Sequence, residues 1–212
     1  MITENLINSY LASGSAAFAE GQYQTAGKLF FAAYQKSKSF RKSDPRLAVV
    51  YANLALFYHQ QKRYKKAETL LEQAIAIVGI SEQFETALGE NIRTQLCNAY
   101  MAQKKYSSVI RLYKNTLHKY QELGQHTKAP LFYDRIIDLY GALGKISRAE
   151  VWCKRAIKQD ELHLNPGDPS ARKRLVKLAW IYNEQNRTSE ACAVYQKTVT
   201  PPSNSQFNAS PY

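Results

Sequence analysis

The sequence predicts an all-α fold, a stack of five helix–turn–helix hairpins or about ten helices, and three observations predict it. The first is residues 51–78, which spell one complete hairpin. Tyr51, Leu54, Ala55 and Tyr58 recur at i, i+3, i+4, i+7, and Ala67, Leu71, Ala74 and Val78 at i, i+4, i+7, i+11, which places each set on one stripe of a 3.6-residue helix. A short polar turn, residues 62–66 with Tyr64 inside it, separates the stripes. The second observation is a pair of residues twelve apart at the expected helix crossing, found as Gly14/Ala26, Ala55/Ala67, Cys97/Val109, Ile137/Ala149 and Ala179/Ala191. The third is a turn position in the same phase: Tyr23, Tyr64, Tyr106, Ile146 and Thr188. The pairs step by 41, 42, 40 and 42 residues. One hairpin cannot bury its apolar stripe alone, so such a period implies a stacked array.

Leu54-Ala55 with Tyr58, then Tyr64 with Ala67, Leu71 and Ala74, resembles the tetratricopeptide repeat, whose usual period is roughly 34 residues. The stretch Asn53-Leu54-Ala55-x-x-Tyr58 and the pairs Asp44-Pro45 and Asp168-Pro169 are similar to the longer repeats of kinesin light chains. The resemblance implies a right-handed α-solenoid in which the first helix of every hairpin lines a concave groove. In such arrays an extended peptide or a partner helix lies in that groove.

In chain order the repeats are expected near residues 7–40, 45–79, 82–124, 128–163 and 169–199, forming one solenoid over residues 1–199. Residues 4–20 and 24–38 make the first hairpin around Gly21, with Tyr10, Gly14, Ala17, Ala26, Phe30 and Ala33 inward. Asp44-Pro45 and Asp168-Pro169 each read as a capping residue followed by proline in the first turn. Ser81 is expected to cap a long helix running to about Gln103, with Ile92, Leu96, Cys97 and Tyr100 inward. Val109, Tyr113 and Leu117 face inward on the next helix, which ends at Gly124 as a left-handed cap. Ser147 and Glu150 read as a capping box. Residues 200–212 are polar and proline-bearing, and disorder is expected there.

Composition narrows the function. With 45% apolar residues the 212-residue chain can build a sizeable core. Cys97, Cys153 and Cys192 sit at inward helix positions rather than at ligand or pairing spacings, which reads as reduced thiols in a cytoplasmic protein. No apolar run reaches 18 residues. Gly141, Gly144 and Lys145 have too few residues between the glycines for a phosphate loop and read as a turn. The four histidines, His59, His118, His126 and His163, fall in different repeats without ligand spacing, so no metal or other cofactor is expected. No nucleophile–base arrangement is legible; Asp134 and Asp138 read as a solvated or partner-facing pair. Catalysis is therefore not expected.

Binding surfaces are what remains. The face opposite the packing stripe presents Asn8, Leu11, Ser15 and Phe18; Val49, Asn53, Leu56 and His59; Asn91, Gln95, Asn98 and Met101; Leu131, Asp134, Arg135 and Asp138; and Lys173, Lys177, Trp180 and Asn183. Asn53 and Asn98 can hold a peptide backbone through amide donors and acceptors, or Asn53 can instead satisfy a neighbouring helix. Arg135, Lys173 and Lys177 suit carboxylates or phosphate, and Trp180 offers an apolar anchor. The expected partner is a protein segment of acidic character. The net charge of +12 keeps a second reading open, nucleic acid or anionic membrane on a convex basic stripe that includes Lys62, Arg63, Lys65, Lys66, Lys104, Lys105, Arg148 and Arg155. Weak self-association through an uncapped last hairpin is also expected.

Overall fold

The computed structural model describes residues 2–79, 82–163 and 168–199. Among them are ten α-helices: α1 (Ile2–Ala19), α2 (Tyr23–Ser37), α3 (Arg46–Gln60), α4 (Tyr64–Gly79), α5 (Ala87–Ala102), α6 (Tyr106–Glu122), α7 (Ala129–Ala142), α8 (Ile146–His163), α9 (Pro169–Glu184) and α10 (Thr188–Val199). No strand occurs among the described residues. Every second helix starts at the turn residue the sequence marks, Tyr23, Tyr64, Tyr106, Ile146 or Thr188.

The turns show why. Two residues before each of those starts the backbone is left-handed, at Gly21, Lys62, Lys104, Gly144 and Asn186, with φ between 56° and 76°. The next residue, Gln22, Arg63, Lys105, Lys145 or Arg187, donates its N–H to a carbonyl five residues earlier, at 2.8 or 2.9 Å. That is the Schellman closure of a helix end. Gly124 ends α6 with φ 68° in the same way. At the starts, Asp44 Oδ1 accepts from Arg46 N at 3.0 Å and Asp168 Oδ1 from Ser170 N at 2.7 Å, so both Asp-Pro pairs cap as expected.

The chain forms two compact units, Met1–Val109 and Ile110–Tyr212. In the first, α1 packs on α2, α2 on α3, α3 on α4 and α4 on α5, while α3 also touches α1 and α5. Ala26, Phe30, Ala33, Ala55, Ala67 and Ala74 have no exposed surface, as the inward stripes require. In the second, α7 packs on α8, α8 on α9 and α9 on α10, around Ile136, Ile137, Ala149, Cys153, Ala156 and Ile181.

Gly14 shows how closely the first hairpin closes. A Cβ there meets Phe30 Cε1 at 2.6 Å and Cδ1 at 2.8 Å, and Phe30 is wholly buried, so its ring has nowhere to move. Gly14→Ala adds helix propensity of up to about 1 kcal/mol, but overpacking costs about 1–3 kcal/mol. The variant is expected to be less stable by about 1–2 kcal/mol, read as a lower urea midpoint; a higher midpoint contradicts the packing.

The structure corrects four expectations. The helix ending near Gln103 begins at Ala87, not at Ser81, which lies outside the described residues. A 3₁₀ turn, Glu82–Glu85, precedes it. Phe84 is buried in that turn, and Arg93 lies over its ring at 4.4 Å and donates to its carbonyl at 2.8 Å. This anchors the chain as a turn, and Thr86 caps α5 through Gly89 N. Ser147 and Glu150 form no capping box, because Glu150 is bound by Lys154, Gln185 and Arg187. Leu11, expected on the groove, belongs to the core with Ile7 and Phe30. Cys192 is exposed and Cys97 half-buried, so of the three free thiols only Cys153 is fully inward. The tail, residues 200–212, lies outside the described residues.

Candidate partner-binding surfaces

In the first unit the expected groove residues stand on α1, α3 and α5. Asn53 bridges two of these helices: its Nδ2 donates to Val49 O at 2.9 Å, and Ser15 Oγ donates to its Oδ1 at 3.4 Å. Leu56 and His59 are half-buried, His59 edge-on to Tyr64 with ring centroids 5.1 Å apart. On α5, Asn91 and Asn98 are exposed. Gln95 donates to Asn91 Oδ1 at 2.6 Å, while its own Oε1 is buried without a hydrogen-bond partner. Met101 is 43% exposed. Asn8, Leu11 and Val49 line a cleft of about 70 Å³ with Glu4, Ile7, Phe40 and Arg46. A wider opening of about 430 Å³, bounded by Lys42, Ser43, Tyr51, Gln73, Ala76 and Ile77, contains none of the expected groove residues.

In the second unit Arg135 is exposed, its guanidinium 5.6 Å from the Tyr113 ring and 5.7 Å from that of Phe132. Lys173 is exposed. Trp180 is 47% exposed, with the edge of its indole 3.7 Å from where a Cβ on Gly141 would stand. Lys177 departs from expectation. It binds Asp138 at 2.7 Å and Asp134 at 3.4 Å, so its charge is matched inside the protein. The Asp134–Asp138 pair is thereby explained as well.

Sequence reasoning missed the centre of that cluster. Arg174, 1% exposed, makes a doubly hydrogen-bonded pair with buried Asp160 and reaches Asp134 at 3.3 Å. Burial pushes the Asp160 carboxyl above its ordinary value, with Arg174 opposing. Burial also disfavours the charged Arg174, but the bonds to Asp160 and Asp134 hold it protonated. Beside them Cys153, pushed up to about 12 by burial, donates its thiol to Arg174 O at 3.4 Å and is chemically inert. His126 and His163 stack with centroids 3.8 Å apart. Among the described residues no three metal-ligating side chains converge.

On the second helices the basic stripe is interrupted twice by the same device. Glu68, 4% exposed, accepts from Lys65 at 2.8 Å, Lys105 at 2.6 Å and Gln103 at 2.6 Å. Glu150 accepts from Lys154 at 2.6 Å and from Gln185 and Arg187 at 2.9 Å. In both places an Ala-Glu on one hairpin is clamped by the Gln-x-(Lys/Arg) turn of the next. Lys65, Lys105 and Lys154 are thereby matched locally.

The arrangement defines a protein of stacked helical hairpins with open faces rather than an enclosed site. Residues 5–78 match the tetratricopeptide-repeat family model. No curated protein sequence matches the chain significantly. Solved structures do share its fold. The nearly identical TPR-like repeats from Podosopora anserina assigned to a kinesin light chain superpose with a TM-score of 0.61 at 19% identity, over 91% of this chain and 92% of that one. BtubC (BKLC) from P. vanneervenii gives 0.58 at 22% identity, over 92% and 79%. The apo form of RapI gives 0.61 at 14% identity, over 91% and 68%. The fold is that of a tetratricopeptide-repeat α-solenoid, of the long-period kind seen in kinesin light chains. Among the described residues no helix is long and apolar enough to cross a membrane.

Proposed function

We propose that the protein is a non-catalytic scaffold that binds a peptide or helix of a partner protein along the face of its first helices. The carrying observation is the amide row on α5: Asn91 and Asn98 are exposed, Gln95 stands between them and donates to Asn91, and Met101 continues the face. Paired donors and acceptors on a rigid helix suit a bound backbone, and a thioether suits an adaptable apolar contact. The acidic preference rests on Lys173 and Arg135, since Lys177 is engaged with Asp138. The free thiols fit a reducing, cytoplasmic setting.

The test compares two variants in quantitative pull-downs from the native cell. Asn53→Ala/Asn98→Ala is expected to lose at least about 80% of the specifically recovered partner, while Lys62→Glu/Lys66→Glu keeps it. The reverse pattern removes the groove from consideration.

A further inference from the structure

We propose that the outward face of α8 is a second docking surface, shaped for an acidic segment of a partner protein that carries large aliphatic side chains. Arg148, Val151, Arg155, Lys158 and Leu162 follow one another at steps of three and four residues, which aligns them as a stripe about 21 Å long on one side of the helix. All five are exposed, Val151 by 49% and Leu162 by 63%. The opposite side of α8, with Ala149, Cys153, Ala156 and Asp160, is buried. Because α8 is the second helix of its hairpin, this surface is separate from the first-helix face and does not depend on the function proposed for that face.

The repeats supply an internal comparison. At the register of Val151 the helices α4 and α6 carry Thr69 and Arg111; at that of Arg155, Gln73 and Asn115; at that of Lys158, Ala76 and His118. At the register of Leu162, α6 carries Glu122. Those helices present polar or small residues where nothing in the fold asks for more. Only α8, among the described helices, places exposed Val and Leu there with cations between them. The fold does not need these aliphatics in water, and they cost solubility.

The cations keep their charge for a guest. Asp134, Asp138 and Asp160 are used by Arg174 and Lys177, Glu150 by Lys154 and Arg187, and Glu122 by Lys119. Among the described residues Arg148, Arg155 and Lys158 make no ion pair. Two of them rest on aromatic rings instead: Arg155 lies 5.2 Å from Trp152 and Arg148 6.0 Å from Tyr140. Lys114 of α6 stands 4.9 Å over the same Trp152 and adds to the positive field. A π contact orients a guanidinium without neutralising it, so two oriented guanidiniums and the Lys158 ammonium face solvent.

This chemistry favours a protein segment over the other anionic surfaces. A phosphate backbone has no use for Val151 and Leu162. A membrane wants its apolar residues contiguous and its cations at the margin, whereas Arg155 and Lys158 stand between the two aliphatics. A segment that sets glutamates against Arg148, Arg155 and Lys158 and leucines against Val151 and Leu162 meets every position.

The test uses a fluorescein-labelled amphipathic peptide about 18 residues long, with Glu, Leu, Glu, Glu and Leu following one another at three- and four-residue steps on one face, and a control in which Lys replaces each Glu. Fluorescence anisotropy with the full chain is expected to give micromolar binding of the acidic peptide, at least tenfold weaker for the control and weaker at about 300 than at about 50 mM salt. Arg155→Glu/Lys158→Glu is expected to weaken it at least tenfold, and Val151→Ser/Leu162→Ser about fivefold. All four positions are exposed, so circular dichroism should show unchanged folding; Asn53→Ala/Asn98→Ala should bind the peptide normally. Binding unaffected by either α8 variant, or none at millimolar protein, overturns the proposal. So does capture by phosphatidylserine vesicles or a single-stranded RNA oligonucleotide that depends on Arg155 and Lys158 when the peptide fails.

Discussion

Arg174→Met is expected to lower the stability of the α7–α9 region by about 3–5 kcal/mol, the cost of leaving a buried charge without its partner. Arg174 and Asp160 are 1% and 5% exposed, so solvent cannot replace the lost guanidinium. Asp134 retains Lys177 at 3.4 Å, which leaves Asp160 as the stranded group. In the variant its carboxyl, already raised by burial, is raised further. A group whose folded value lies above its unfolded value supports the fold below the unfolded value and loses that support as pH rises. The deficit against the parent is therefore largest near neutral pH, shrinks as pH falls toward the unfolded value and is smallest below about pH 4. Arg174→Met/Asp160→Leu removes both charges and is expected to regain most of the loss, because apolar replacement of a buried pair is often neutral. Urea unfolding at two pH values measures all three proteins, and hydrogen exchange localises the effect. A deficit independent of pH, with no recovery in the double variant, sinks the assignment.

That pair also shows where the sequence was hard to read. Arg174 stands four residues before Leu178 on the inward stripe of α9, and Asp160 four residues after Ala156 on that of α8. Each alone looks like a break in an apolar pattern. Only their opposite signs on consecutive helices hint that the two breaks meet. The hairpins were legible because the turn positions Tyr23, Tyr64, Tyr106, Ile146 and Thr188 recur in phase with the pairs at the crossings; the left-handed residue two places before each of them, which the structure shows, is the physical reason. The groove residues were legible as a face but not as a set of free groups. Periodicity says which way Lys177 points, not that Asp138 on another helix waits for it. Likewise the outward stripe of α8 was visible as charge, while the meaning of Val151 and Leu162 needed their exposure.

Acid is expected to unfold the protein through its two inter-hairpin clamps. Burial pushes the Glu150 carboxyl up, but hydrogen bonds from Lys154, Gln185 and Arg187 outweigh it and hold the group at about 2, against an ordinary 4.5. Glu68 is shifted in the same direction: burial opposes, and Lys105, Lys65 and Gln103 prevail. A carboxyl that titrates lower in the folded chain binds fewer protons there than in the unfolded chain. Its contribution is complete above the unfolded value and is lost as pH falls toward the folded one, so the window runs from 4.5 down to about 2. Glu68→Gln/Glu150→Gln keeps the shapes but removes both charges. It should cost about 2 kcal/mol per site at neutral pH, the scale of a charge-assisted hydrogen bond, and should flatten the acid limb of the midpoint-against-pH curve. The α2–α3 junction provides a control, because Gly27 occupies the register of Glu68 and a Cβ there would meet the Phe57 ring at 2.3 Å, so a ring fills the place of the carboxylate. Amide exchange in α2 and α3 should therefore change least with acid, and that in α5 and α9 most. An acid limb that persists unchanged in the double variant would mean that the clamps do not join these hairpins in solution.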